Sequence, residues 1–375
     1  SKRLFLRTPS NYGYMTINYT PSNKFKFSTN LVNTGKMDLV HMGGAIEQEN
    51  DEYKSSVILY RDCFENKYLP IIAPESQISM SQINPIFNSD GSKIAFLSRQ
   101  NIKNSIQVGT LFIAPSINLE LNKNDTLYIG GNYTGDGFIN GNPSIEYNGS
   151  HRQTIKKRNY NTLIYNNLCK DSSIFYGNNT IKHLIVKRGK LKIGNLSIHA
   201  CQIDSLGQLL IGGNKPNFTD TTKISGKLII HSDDAHPQFD FITITPNGMF
   251  VNKSSADVTI SKGIDNNGIF LGCLGTACNY RFLNNSVSFS GKDTIQIPRL
   301  ECNMIYNNGI VSITKEIHVD SLFNLPKGTL LLSLDTQNIS GVMNFSSVNN
   351  SVVFNKHGNQ RIPKSFDVVH NLVFQ

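Results

Sequence analysis

From about residue 105 onward, apolar and polar residues alternate in short runs, and each run follows a turn residue that is usually glycine. Typical runs are Gly189-Lys-Leu191-Lys-Ile193, Gly207-Gln-Leu209-Leu-Ile211 and Gly226-Lys-Leu228-Ile-Ile230. Alternation with a period of two indicates a β-strand that buries one of its faces. The sequence therefore predicts many short strands, each entered through a corner where glycine is expected to supply a positive φ.

The corner residues return at nearly regular intervals. These intervals are 16 (109 to 125), 18 (189 to 207), 19 (207 to 226), 22 (226 to 248), 20 (248 to 268) and 19 (309 to 328). A period of about 20 residues is typical of a β-solenoid, in which each coil buries its apolar stripe against its neighbours. We therefore predict an all-β chain with a parallel β-solenoid (β-helix) over residues 105–375. An antiparallel β-sandwich array is the alternative.

A longer module is superimposed on this repeat. Its three copies begin at Ile145, Val287 and Val352. In each copy an aromatic residue is followed by Asn or Ser. An Ile lies eight positions after the aromatic residue, with a Gln one or two positions before that Ile. A second short run that begins with Asn follows. The pattern resembles repeats of large secreted surface proteins and adhesins of Bacteroidota, which typically leave the cell by the type nine secretion system. The resemblance implies an extracellular or cell-surface location.

The N-terminal residues lack the 20-residue unit. Two amphipathic segments, near residues 12–19 and 24–31, flank a Thr-Pro-Ser-Asn turn, and they predict a β-hairpin cap region over residues 1–68. The segment resembles the closing strands of a TonB-dependent receptor barrel, which implies an outer-membrane association. Residues 69–104 are predicted to hold a linker and a hairpin with an Asp90-Gly91 turn.

Composition narrows the function classes. Charged residues make up 17% of the chain, against roughly 25% in an average soluble domain. The formal net charge is +9, with basic residues concentrated near positions 156–158 and 182–192. No aromatic ladder interleaves with these clusters, so we interpret them as solvated strand faces and predict no nucleic-acid partner. Glycans or surface proteins are the expected partners.

One dense polar cluster lies between two predicted strands. It contains two histidines and three carboxylates that could bind a divalent ion such as Ca²⁺: His231, Asp233, Asp234, His236 and Asp240. A solvated loop without a ligand is the alternative interpretation of the same residues. If the cluster were an acid–base site, the chain would be a carbohydrate-active β-helix enzyme.

The six cysteines contain no CxxC pair, which argues against a zinc site. Cys273 and Cys278 are close enough in sequence to form a local disulfide, and two free thiols are the alternative. Taken together, the sequence predicts a non-catalytic secreted or cell-surface protein that acts in adhesion or as an extracellular scaffold. The alternatives are the β-helix enzyme and a fragment associated with outer-membrane transport.

Overall fold

In the computed structural model, the described residues are strands within 3–102, residues 105–113, and residues 118–374 apart from 214, 275–277, 335, 340–342, 357–365 and 370. The chain divides into two compact units, Ser1–Lys156 with Tyr160–Ser173, and Lys157–Asn159 with Ile174–Gln375. The predicted domain boundaries after residues 68 and 104 stay predictions.

Every regular element of the described residues is a β-strand, and most strand pairs are parallel with coils about 20 residues apart, which confirms the predicted β-solenoid. None of these residues belongs to a helix that is long and apolar enough to cross a membrane.

The strands up to residue 166 are β1 (Arg3–Leu6), β2 (Ser10–Asn11), β3 (Tyr14–Asn18), β4 (Lys24–Phe27), β5 (Val32–Asn33), β6 (Lys36–Val40), β7 (Ile46–Gln48), β8 (Ser56–Arg61), β9 (Pro70–Pro74), β10 (Ser92–Phe96), β11 (Gln100–Ile102), β12 (Ile106–Val108), β13 (Thr110–Ile113), β14 (Asn118–Leu121), β15 (Thr126–Ile129), β16 (Tyr133–Thr134), β17 (Phe138–Asn140), β18 (Ser144–Tyr147) and β19 (Tyr160–Asn166).

The first strands do not form the predicted hairpin. Strand β4 pairs in parallel with β1 and β7, and β3 pairs in parallel with β6. Arg3 lies opposite Lys24 and Tyr14 lies opposite Lys36, so each partner is about one coil further along the chain. Pairing at this distance joins strands that run in the same direction, whereas a hairpin through the Thr-Pro-Ser-Asn turn would have made them antiparallel.

Antiparallel pairing does occur where β8 pairs with β9 and with β10. The predicted Asp90-Gly91 turn lies outside the described residues. From β10 onward, the strands of the first unit stack in parallel on three faces: β10-β13-β16, β11-β14-β17 and β12-β15-β18-β19. Leu111, Leu119 and Leu127, one from each face, are fully buried, so the three faces share an apolar interior.

The later strands are β20 (Ser173–Phe175), β21 (Asn179–Ile193), β22 (Leu196–Ile211), β23 (Asn217–Ile224), β24 (Lys227–Ile230), β25 (Gln238–Ile244), β26 (Met249–Asn252), β27 (Val258–Asn266), β28 (Ile269–Leu271), β29 (Asn279–Phe282), β30 (Ser286–Ser290), β31 (Thr294–Asn307), β32 (Ile310–Asn324), β33 (Thr329–Leu332), β34 (Thr336–Ile339), β35 (Met343–Phe345), β36 (Ser351–Phe354), β37 (Phe366–Val369) and β38 (Leu372–Phe374).

The second unit also has three parallel faces, because its long strands bend at the corners. Sheet A contains the segments 179–181, 196–198, 217–218, 238–239, 258–260, 279–282, 299–302, 316–319 and 336–339. Sheet B contains 184–186, 201–203, 222–224, 242–244, 263–266, 286–290, 304–307, 321–324, 343–345 and 366–369. Sheet C contains 190–193, 208–211, 227–230, 249–252, 269–271, 294–297, 310–313, 329–332, 351–354 and 372–374.

The predicted leucine positions form one column inside sheet C. Leu191 pairs with Leu209, Leu209 with Leu228, and Leu228 with Phe250. All four side chains are fully buried. The column continues through Phe270, which stacks on Phe250 with ring centroids 4.7 Å apart. Same-direction strands that share one dry interior are therefore confirmed for this part of the chain.

The corner glycines are required mainly for close packing. Gly189 has a positive φ of 83°, as predicted, but Gly207, Gly226, Gly248 and Gly268 do not have positive φ values. A Cβ atom at Gly226 would instead overlap the carbonyl oxygens of Asp204 and Gly207. The prediction of a positive φ at every corner is corrected: a side chain would collide with the backbone of the preceding coil.

Buried asparagines close several corners between sheets B and C. The side-chain oxygens of Asn266 and Asn307 accept hydrogen bonds from the backbone N–H of the glycine two residues later, both at 3.1 Å. The Asn307 amide also donates to Oδ1 of Asn324 in the next coil. These amides satisfy backbone groups that are buried at the turn.

The pairing register shifts where sheet A turns into sheet B. Shifts occur between Ile198 and Cys201, between Phe218 and Thr221, and between Phe239 and Phe241. Such bulges let one coil contain an extra residue without moving the paired segments on either side.

Candidate functional site

The predicted metal cluster lies on the turn between sheet C and the next segment of sheet A. Its carboxylates serve structural contacts: Asp233 Oδ1 accepts a hydrogen bond from the Ser255 N–H at 2.6 Å, and Asp240 forms a 2.6 Å ion pair with Lys262. Asp234 and His236 are exposed. Among the residues that the structure describes, no group of three or more His, Cys, Asp or Glu side chains could hold a metal ion. The geometry therefore gives the predicted Ca²⁺ site no support.

His231 instead lies beside two residues from earlier coils, Tyr176 and Lys192. A Cβ atom at Gly212 would lie 2.8 Å from the Tyr176 hydroxyl and 3.0 Å from His231 Cε1, and it would overlap Lys192 Cε. Partial burial lowers the pKa of His231, and the nearby Lys192 charge lowers it further, while a hydrogen bond to the Ile211 carbonyl acts in the opposite direction. We name this group the Gly212 corner.

The two cysteines that could pair form a disulfide. Cys273 and Cys278 are bonded, with their Cα atoms 6.0 Å apart, so the structure favours the disulfide over two free thiols. The free cysteines of the described residues are Cys169, Cys201 and Cys302. Burial raises the pKa of the Cys302 thiol to about 12, with smaller contributions from Asp320 and Glu301.

A polar groove of about 280 Å³ follows the corner between sheets A and B. Arg281, Glu301 and His318 occupy the same register position in consecutive coils and point away from the interior. Arg281 Nε lies 3.1 Å from Glu301 Oε2. Asn303 and Asp320 complete the polar lining. The groove thus presents cationic, anionic and amide groups to solvent within three coils.

Tyr306 and Phe323 stack on the outer side of sheet B, close in sequence to this groove. Their ring centroids are 5.2 Å apart and their planes differ by 15°. The neighbouring residues Ile305 and Leu322 are buried, so the two rings project outward. Ser288 and Asn344 extend the same column on either side. Aromatic faces flanked by hydroxyl and amide groups can contact the apolar face of a sugar and bind its hydroxyls.

The predicted basic clusters differ in their surroundings. Lys156 in the first cluster pairs with Asp136 at 3.0 Å. In the second cluster, Lys190 is exposed on sheet C and lies two coils from the exposed Lys227 in the same column, with Gln208 between them. This part of sheet C therefore presents an uneven, largely cationic surface.

The aromatic pair and the Gly212 corner were missed by sequence reasoning, although a signal existed for the aromatic pair. Tyr306 and Phe323 each follow a buried position of the period-two pattern, one coil apart.

A comparison with protein-family models, curated proteins and solved structures finds no match to this chain.

Proposed function

We propose that this chain is a non-catalytic β-solenoid of the cell surface or extracellular space, which binds glycans in adhesion or as a scaffold. The single observation that carries the proposal is the outward stack of Tyr306 and Phe323, each three residues along the chain from a residue that lines the polar groove. The rings offer apolar area for a sugar face, and the groove offers donors and acceptors for its hydroxyl groups.

Two further features support this proposal. The Cys273–Cys278 disulfide suits an oxidising compartment, because disulfides persist outside the reducing cytosol. Stacked coils repeat the same outer positions about every 4.8 Å, so a long glycan could bind several weak sites at once. Avidity of this kind suits attachment.

The test is glycan binding by the full chain, measured by calorimetry against neutral and acidic oligosaccharides. We expect Tyr306→Ala to weaken binding of a neutral oligosaccharide at least tenfold. Phe138→Ala is the matched control, because this phenylalanine is 60% exposed in the first unit, and it should change binding less than twofold. Equal losses in both variants, or no binding by the unaltered chain, would overturn the proposal.

The same groove provides a test of the enzymatic alternative. If the chain were a carbohydrate-active enzyme, it would release reducing ends from a bound polysaccharide, and Glu301→Gln would abolish this release. We expect no release by either protein. Turnover that depends on Glu301 would replace the adhesion proposal with the enzyme.

A further inference from the structure

Tyr176, Gly194, Gly212 and His231 occupy consecutive rungs at one corner of the second unit. The backbone N–H of Gly194 donates a hydrogen bond to the Phe175 carbonyl oxygen at 3.3 Å. In the same way, the Gly212 N–H donates to the Ile193 carbonyl at 3.0 Å, and the His231 N–H donates to the Ile211 carbonyl at 3.1 Å. Because the two middle rungs have no side chain at this position, they leave a step over the backbone that neighbouring side chains fill.

Side chains from three different coils lean into this step. The Tyr176 ring lies against Gly194, where a Cβ atom would be 2.6 Å from Cδ1 of the ring, and its hydroxyl reaches toward Gly212. His231 approaches Gly212 from the opposite side, and Lys192 Cε lies against the same glycine. A phenol, an ammonium and an imidazole therefore surround one point on the surface.

The electrostatics of this point are positive. Among the described residues, no carboxylate forms an ion pair with Lys192. The carboxylate nearest to His231 in sequence is that of Asp233, which accepts a hydrogen bond from the Ser255 N–H of the following coil. Partial burial is the main cause of the lowered pKa of His231, and the nearby Lys192 charge adds to it. An anion at this point would gain charge-assisted hydrogen bonds from Lys192 and a donor from Tyr176.

We infer that the Gly212 corner binds the anionic group of an acidic polysaccharide, either a uronate carboxylate or a sulfate ester, through Lys192, His231 and the Tyr176 hydroxyl. This inference rests on the proposed glycan-binding function and names the ligand class of a second site. The ring of Tyr176 offers a face for the sugar that carries the anionic group. Lys190 and Lys227 would attract the remaining charges of a long polyanion at low ionic strength.

The experiment measures binding of oligogalacturonate, which carries carboxylates, and of heparin oligosaccharides, which carry sulfates, to the full chain at low salt. We expect Lys192→Gln to weaken binding of at least one of them tenfold or more. Lys223→Gln removes the same charge from an exposed position on sheet B and should weaken binding less than threefold. Equal effects of the two variants would show general charge attraction and overturn the inference.

Two readouts localise the ligand. Tyr176→Phe keeps the ring and removes only the hydroxyl, and we expect a threefold to tenfold loss. The NMR resonance of His231 Hε1 should shift on addition of the oligosaccharide, and the same addition should leave it unmoved in Lys192→Gln. An unmoved His231 resonance in the unaltered chain would contradict the assignment.

The outcomes separate this inference from the proposed function. Neutral oligosaccharides that bind through Tyr306 without any acidic oligosaccharide binding would overturn the inference and leave the proposed function intact. Acidic oligosaccharides that bind through Lys192 while neutral ones do not bind would support the inference and overturn the Tyr306 site. Single-stranded DNA that binds more tightly than both polyanions, with the same dependence on Lys192, would assign the corner to nucleic acid and overturn the inference.

Discussion

Asn307 donates a hydrogen bond from Nδ2 to Oδ1 of Asn324, 2.8 Å away, and both side chains are completely buried at consecutive corners. Asn324 in turn donates to the carbonyl oxygens of Gly328 and Ser351. A single amide therefore serves backbone groups of its own coil and of the next one. This arrangement joins neighbouring coils through polar contacts as well as through apolar packing.

We expect Asn324→Ala to destabilise the chain by about 3 kcal/mol, because it leaves two buried carbonyls and the Asn307 amide with fewer partners. The measurement is the urea midpoint followed by circular dichroism. Asn308→Ala is the control, because Asn308 is an exposed neighbour, and it should cost less than about 0.5 kcal/mol. Similar midpoints for the two variants would contradict a structural role for the buried amides.

We expect Phe250→Ala to be among the most damaging substitutions. Its ring is fully buried and stacks on Phe270 with an interplanar angle of 4°. Truncation leaves a cavity between coils and should cost about 3–5 kcal/mol. Ile269→Ala, on the outer side of the adjacent strand, should cost less than about 1 kcal/mol. A mild effect of Phe250→Ala in thermal melting would argue against the shared interior.

We expect Gly226→Ala to destabilise the chain by about 1–3 kcal/mol, because the added methyl group overlaps the carbonyl oxygens of Asp204 and Gly207. Thermal melting of the variant measures the effect. Lys227→Ala changes the next residue, which is exposed, and should leave the melting temperature nearly unchanged. If Gly226→Ala were neutral, close packing of the corners would not explain the glycine.

We expect His231 to titrate below the ordinary histidine pKa of about 6.5, because burial and the Lys192 charge both disfavour its protonated form. The pKa of His231 is lower in the folded chain than in the unfolded one. The stabilising contribution of its neutral form is therefore complete at pH values above about 6.5. It is lost as the pH falls through the folded pKa. An NMR titration measures the midpoint, which Lys192→Met should raise and Lys227→Met should not. A midpoint that does not respond to Lys192→Met would contradict their proximity.

We expect the cysteines to differ in their reaction with a maleimide. Cys201 and Cys302 are buried, and burial raises the pKa of both thiols, so they should stay unlabelled in the native chain. Cys169 is only half-buried and should react before Cys201 and Cys302. Peptide mass spectrometry should find Cys273 joined to Cys278 without reduction. Rapid labelling of Cys201 before unfolding would show that the interior is open.

The coil repeat could be predicted because its signal is local. Leu191, Leu209 and Leu228 each follow a glycine by two positions, and the spacing alone places them in one column. The N-terminal pairing was missed because strands such as Arg3–Leu6 and Lys24–Phe27 lack the glycine that marks the later corners. Their separation of one coil was the available signal. The nearby Thr-Pro-Ser-Asn turn led to the prediction of a hairpin instead.

The Gly212 corner could not be predicted in the same way. Its geometry depends on where long side chains bend when glycines leave room for them, which a period-two pattern does not describe. Tyr176, Gly194, Gly212 and His231 are spaced by 18, 18 and 19 residues. That spacing could have aligned the four positions, but it does not show that the Lys192 side chain lies against Gly212.

Coils of unequal length pair within one stack, because the extra residues lie in the turns between strands. Phe270 and Ile295 are paired although 25 residues separate them, while Ile295 and Val311 are paired across only 16. Insertions and deletions at a turn are thus absorbed before they reach the next strand. Each coil can acquire new side chains on its outer surface independently of its neighbours, so such a protein could diversify what it recognises one coil at a time while its interior stays unchanged.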